Sequence, residues 1–317
     1  MDKIRLVAGD SRNENWLLTT AIGASYLNTW EATVLPLWSE YADRHRLGIA
    51  VVTHDIFRPG ELELNGSCQK LLAPRELIET LGRDVRFALL DTDLLVSPQA
   101  SDIFRQVPEG RIGVVSQQKN LPMDVERTRR LAALYRNRFI DSSFPLWSAL
   151  SAGPREVFRA AGLPEHDDFF CAGMIVGDSL SHAKEFERWY LELPRGDAYQ
   201  SVDWGEETWL NHCVQNSGLV YWLEYAWHAL WLYEVPTYYP FLYDEGRAVE
   251  SAQWCLASSL LRNNFVHLAG AWESRLLAEP APRFPSEVPF SELARVVSNH
   301  LLQGSQARFG SRKRPPR

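Results

Sequence analysis

RFALLDTDLLV, residues 86–96, sets two aspartates one residue apart inside an otherwise apolar run. An apolar run of this length reads as a buried strand. FALL before the pair and LLV after it argue against the solvated turns and caps in which Asp-x-Asp pairs also occur. Side chains at i and i+2 of a strand share a side, so Asp91 and Asp93 are expected to face one cleft with Thr92 between them. Burying two neighbouring carboxylates without a counter-charge is expensive, and a divalent cation removes that expense. A hard ion, Mn2+ or Mg2+, takes oxygen ligands from one or two carboxylates and fills its remaining positions with phosphate oxygens of a substrate.

The segments around this run alternate between strand and helix patterns. WLLTTAI (16–22) reads as a first strand, and 26–45 as a helix kinked at Pro36. LGIAVVTHD (47–55) is a second buried strand, 67–82 a further helix, and 86–96 the third strand. RIGVVSQ (111–117) then reads as a strand and VERTRRLAALYRNRFI (125–140) as an amphipathic helix. Residues 151–168 read as a Gly- and Pro-punctuated loop leading to the apolar FFCAGMIVGD (169–178). Helices are expected in 181–193 and 206–216. This pattern predicts an α/β fold with a mixed, mostly parallel, Rossmann-like central sheet flanked by helices. We expect one domain over 1–275. A C-terminal extension follows over 276–317, ending in the basic QARFGSRKRPPR, which is either a solvated tail or a contact for an anionic membrane surface.

Composition narrows the function classes. Hydrophobic residues make up 45% and charged residues 23%, so a folded globular chain is expected rather than a disordered one. A net charge of -7 argues against a nucleic-acid partner, which needs clustered Lys and Arg. Cys68, Cys171, Cys213 and Cys255 are scattered, unlike a zinc motif or a disulfide framework, and suit a reducing compartment. MDKIRLVAGDSRNENW carries no apolar signal stretch, which predicts a cytoplasmic protein, with peripheral contact at the inner membrane face through the basic tail. LVYWLEYAWHALWLY (219–233) is interrupted by Glu224 and His228 and reads as buried core rather than a membrane span.

With the Asp pair, FFCAGMIVGD, EETWLN (206–211) and VHLAG (266–270) in that order, the chain resembles glycosyltransferases of the GT-A fold, particularly family 8, over roughly residues 17–275. The resemblance implies that His267, opening the family's His-x-x-Gly with Gly270, ligates the same metal as Asp91 and Asp93. Cys171, Ala172 and Gly173 are similar to a family Asn-Ala-Gly turn lying beside the sugar. Cys171 stands in place of the Asn, and a buried Gly-containing strand is the plainer reading. Glu206 and Glu207 match the family's Asp-Gln, with Glu207 where the glutamine faces the anomeric carbon, so the two are the candidate catalytic carboxylates. The plainer reading is a helix start, with Asp203 as N-cap and Glu206 three residues on. Where the family continues with Lys-Pro-Trp, this chain has Glu273, Ser274 and Arg275. Arg275 or Lys70 is then the candidate cation for the leaving diphosphate.

Further site residues follow from position. The loop from Ala21 through Gly23 to Tyr26 and the segment ending at Asp55 lie at the carboxyl ends of the first two strands, where α/β sheets bind ligands. Tyr26 is positioned to stack on a base and Asp55 to accept hydrogen bonds from base or ribose. Both residue types also serve ordinary packing and turns. Of the twelve tryptophans, Trp204 and Trp272 are the candidates for stacking on a sugar face.

Taken together, these features predict metal-dependent transfer of a hexose from a nucleotide diphosphate sugar, a UDP-hexose, to a saccharide or lipid-linked saccharide. The family resemblance implies retention of anomeric configuration. Two alternatives stay open: a phosphatase similar to the haloacid dehalogenases, and a non-catalytic saccharide-binding or interaction module on the same fold.

Overall fold

The computed structural model describes residues 3–10, 12–61, 63–64, 66–139, 152–194, 206–243 and 249–269. The chain opens with β1 (Ile4–Ala8), β2 (Asn15–Thr20) and α1 (Ala24–Thr29). A π-helical turn (Trp30–Val34) leads into α2 (Leu35–His45), and β3 (Gly48–Val52) follows. Next come α3 (Gly66–Gln69), a 3-10 turn (Lys70–Leu72), α4 (Ala73–Leu81), β4 (Arg86–Leu90), β5 (Leu94–Val96) and β6 (Ile112–Val115). The second half carries α5 (Val125–Phe139), α6 (Pro154–Ala160), β7 (Met174–Gly177), α7 (Ser179–Leu191) and α8 (Glu207–Asn216). It ends with β8 (Val220–Leu223), β9 (Ala229–Leu230), α9 (Trp231–Tyr238), α10 (Val249–Arg262) and β10 (Phe265–His267).

Among the described residues, seven strands form one sheet in the order β1-β3-β2-β4-β7-β6-β8, and β5-β10-β9 form a second, small one. In the large sheet only β1 and β7 run against the others. This is the mixed, mostly parallel sheet flanked by helices that the sequence predicts. Alternate residues of the central strands enter opposite cores, as the two-residue period of a strand requires. Leu17, Ile49, Val51, Ala88 and Leu90 pack on one side with Trp38 and Tyr41 of α2. Trp16, Leu18, Ala50, Val52, Phe87 and Leu89 pack on the other with Leu77 of α4, Phe186 of α7 and Leu210 of α8. Helices on both faces explain why these strands are apolar throughout rather than alternating.

The chain passes from β2 to β3 on one side, then returns to place β4 on the other side of β2. Connections leave β2 and β4 in opposite directions, which opens a crevice at their carboxyl ends, the place where open α/β sheets bind ligands.

Several local expectations are corrected. RFALLDTDLLV is not one strand: β4 belongs to the large sheet, β5 to the small one, and 91–93 turns between them. Residues 26–45 form α1, a π turn and α2. The helical run is continuous, and the irregularity expected at Pro36 takes the form of the π turn directly before it. The expected loop 151–168 contains α6, anchored by buried Val157 and Phe158. β1 is not among the strands expected from sequence; it pairs antiparallel with the edge of β3, and an edge position leaves Arg5 and Leu6 exposed. Residues 219–233 fold as β8, a 3-10 turn, β9 and the start of α9, largely buried. Among the described residues no helix is long and apolar enough to cross a membrane. The extension 276–317 lies outside the described residues.

Candidate metal and donor site

The chain turns as soon as β4 ends. Leu94 N–H donates to the Asp91 carbonyl at 3.1 Å, Asp91 N–H donates to the Gly173 carbonyl at 3.0 Å, and Leu268 N–H donates to the Asp93 carbonyl at 3.1 Å. The turn is thereby tied to the residue before β7 and the residue after β10. Trp38 Nε1 on α2 donates to the Leu94 carbonyl at 2.8 Å and fixes the start of β5. His267 stands opposite Leu94 in the β5–β10 pair.

Three ligand atoms converge as a result. His267 Nε2 lies 3.0 Å from Asp93 Oδ1 and 3.8 Å from Asp91 Oδ2, and one atom from each residue falls within 4.8 Å of the others. The two aspartates face one point because a turn and a second sheet bring them there, not because they alternate along one strand. Neighbouring ligands of an octahedral ion at about 2.1 Å stand about 3 Å apart, so small side-chain adjustments fit these three residues to Mn2+ or Mg2+.

Electrostatics give the cluster a definite resting state. Burial disfavours charge on His267, but the adjoining Asp93 carboxylate outweighs it and holds the imidazole well above its ordinary range. Burial likewise works against the Asp93 carboxylate, and His267 pulls it below its ordinary value. A cation on Nε2 must displace the proton held there. Cation affinity is therefore expected to rise about tenfold per pH unit while pH stays below the raised histidine value, and to level off above it. Calorimetric Mn2+ titrations over a pH series check this; a flat profile would remove His267 from the ligand set.

A second network lies against the first. Lys70, buried at the 3-10 turn before α4, places Nζ 2.6 Å from Glu206 Oε1, 3.1 Å from Asp91 Oδ1 and 3.2 Å from the Ala172 carbonyl. Burial opposes its charge, yet Asp91 and Glu206 keep it protonated well above the usual lysine range. Burial pushes Glu206 up, against the pull of Lys70. Lys70 thus bridges the Asp91 and Glu206 carboxylates. Glu206 is the N-cap residue of α8 but makes no side-chain cap; its carboxylate goes to Lys70 instead. Glu207, half-buried in the first turn, accepts from Ala172 N–H at 2.9 Å. One turn on, Asn211 bonds both Phe170 N–H and the Phe170 carbonyl, at 2.8 and 2.7 Å. Residues 170–172 are thus gripped by α8 on one side, with Cys171 Sγ 3.5 Å from His267 Nδ1 on the other.

Gly173 is required by this packing. A Cβ there would lie 2.2 Å from His267 Cε1 and 2.5 Å from Nδ1. Gly173→Ala is expected to displace the ring and weaken Mn2+ binding by about tenfold or more, the usual cost of misplacing a ligand's support. Calorimetry on the variant reads the change.

At the carboxyl ends of β2 and β3 a cavity of about 540 Å3 is lined by residues that include Arg5, Ile22, Gly23, Ala24, Thr53 and Asp55. Ala21 is buried, and its N–H bonds to the Val52 carbonyl at 2.8 Å. Gly23 starts α1 with φ 102, a backbone angle that glycine adopts freely. Asp55 accepts from Gln69 Nε2 at 2.7 Å, next to Lys70. Tyr26 stands exposed on α1, and Thr92 is half-buried in the Asp turn. Trp204, Gly270, Trp272 and Arg275 lie outside the described residues. The sequence marks His228 only as an interruption of an apolar stretch. It proves to be buried, with Nε2 2.9 Å from His267 Nδ1, and a histidine flanked by WHALWLY was its only signal.

No family model matches the chain, and no curated protein matches it. Among solved structures, it is similar to a glycosyltransferase involved in the glycosylation of the major capsid of PBCV-1, at 10% identity and TM-score 0.47, covering 84% of this chain and 99% of that one. It is also similar to the galactosyltransferase LgtC in complex with donor and acceptor sugar analogs, at 13% identity and TM-score 0.40 over 89% and 95% of the two chains. A third similarity is to mouse xyloside xylosyltransferase 1, at 13% identity and TM-score 0.37 over 80% and 98%.

Proposed function

We propose that this protein is a metal-dependent glycosyltransferase of the GT-A type, related to family 8, that moves a hexose from a UDP-hexose to a saccharide or lipid-linked saccharide with retention of configuration. The observation that carries the reading is the convergence of Asp91, Asp93 and His267 at the crevice between β2 and β4. In it, those three residues hold Mn2+ or Mg2+, which when bound neutralises charge on the departing diphosphate. The cavity beside Gly23 and Asp55 takes base and ribose, with Asp55 oriented by Gln69. Lys70 and Glu206 hold the Asp91 carboxylate in place. Glu207, less buried than Glu206, is the carboxylate assigned to the positive charge that develops on the sugar. The basic tail is assigned to peripheral contact with the inner membrane face.

Thermal unfolding with a panel of nucleotide sugars, with and without Mn2+, tests the reading. The matching donor at a hundred times its Kd is expected to stabilise the protein by about 2.7 kcal/mol, and only when the cation is present. Stabilisation by saccharides alone, without metal-linked nucleotide binding, would favour a saccharide-binding module instead.

A further inference from the structure

His267 offers its second ring nitrogen to a different pair of ligands. Nδ1 lies 2.9 Å from His228 Nε2 and 3.5 Å from Cys171 Sγ, and the three atoms fall within 4.8 Å of one another. All three residues are nine-tenths or more buried. We propose that Cys171, His228 and His267 form a second cation site, for a thiophilic ion of the Zn2+ class, whose filling excludes a hard cation from Asp91, Asp93 and His267.

The ligand set and spacing support it. Thiolate and imidazole are the donors that such ions prefer. Zinc bonds of about 2.3 Å to sulfur and about 2.0–2.1 Å to nitrogen, at tetrahedral angles, set the ligand atoms about 3.3–3.6 Å apart. The Cys171–His267 separation already matches, and the two histidines need to part by a few tenths of an ångström. Their ring planes lie 20° from parallel with centroids 5.0 Å apart. The facing nitrogens stand 2.9 Å apart, close enough for one ion to bridge them once they part.

The surroundings support it as well. With an ion on Nδ1, the remaining ring proton sits on Nε2 and donates to Asp93 Oδ1 at 3.0 Å. That is the carboxylate–histidine–metal arrangement that orients ligands in zinc sites. The two positive charges are balanced by the Cys171 thiolate and the Asp93 carboxylate. Starting from the thiol and the protonated imidazole, binding releases two protons, one from sulfur and one from Nδ1.

Exclusion follows from the shared ring. A neutral imidazole has one lone pair. A cation at the Asp pair takes it on Nε2 and leaves the proton on Nδ1, aimed at His228. A thiophilic ion takes it on Nδ1 and leaves Nε2 protonated against Asp93. The effect on turnover rests on the proposed glycosyl transfer, but the binding does not.

Co2+ titration of the metal-free full chain, without a histidine tag, tests the site. The wild type is expected to develop a thiolate-to-Co2+ charge-transfer band in the near ultraviolet. Cys171→Ser should lose the band while still binding Mn2+, which also shows that it folds. His228→Asn should weaken Co2+ binding by about tenfold or more. Mn2+ bound to the wild type, counted by paramagnetic resonance, should lower the band in proportion. No band in the wild type, or an equal band in Cys171→Ser from the other cysteines, overturns the proposal. So does a band that persists undiminished beside bound Mn2+. A chain that turns over no nucleotide sugar still gives these readings.

Discussion

Asp93→Asn is expected to cut metal-dependent donor turnover by about a thousandfold, since the electrostatic work of a catalytic cation amounts to several kcal/mol and each 1.36 kcal/mol is a factor of ten. Asn keeps the size of the side chain but supplies a neutral oxygen, a poorer ligand for a hard ion. It also removes the charge that holds His267 protonated at 3.0 Å. The histidine should then bind its proton less tightly, so the weak residual Mn2+ binding should lose most of its pH dependence. A coupled assay for nucleotide diphosphate release over a Mn2+ series, with calorimetry at two pH values, measures both effects. Turnover within a few-fold of wild type at saturating Mn2+ would sink the mechanism, because Asp93 would then not be a ligand in the working enzyme.

The second large effect is on stability. Lys70→Ala leaves Glu206 and Asp91 facing each other without the cation between them, and Glu206 is only 4% exposed. Breaking a buried ion pair by removing one partner costs about 3–5 kcal/mol, because the remaining charge is left uncompensated. Urea unfolding of Lys70→Ala is expected to show a loss of that size. Adding Glu206→Gln removes the stranded charge, and the double variant should recover part of it. A loss below about 1 kcal/mol for Lys70→Ala, the range of exposed pairs, would mean that water reaches the network. Added Mn2+ should restore some stability to Lys70→Ala by neutralising Asp91, a rescue that a purely structural lysine would not show.

Both predictions concern residues that differ in how plainly the sequence marks them. Asp91 and Asp93 stand out because charged residues inside FALL and LLV contradict the apolar pattern around them. His267 stands out less, through its place after NNFV and the family resemblance. Lys70 reads from sequence as a candidate cation for the diphosphate, and its neighbours give no hint that it closes on Asp91 and Glu206, residues distant in sequence. His228 is hidden in an aromatic stretch, where one polar residue looks like a tolerated exception.

The sequence by itself determined the central strands β2, β3, β4 and β6, most helices and the carboxylate pair, since hydrophobic period and an isolated charge in an apolar run are local properties of the chain. Only the tertiary structure decided that 86–96 divides between two sheets, so that a turn carries the aspartates to His267. It alone decided that Glu206 serves Lys70 rather than a helix cap, and that His267 has Asp93 on one nitrogen and His228 with Cys171 on the other. Such partners are chosen by how the sheets pack across long loops, and nothing in the residues beside each one encodes that choice.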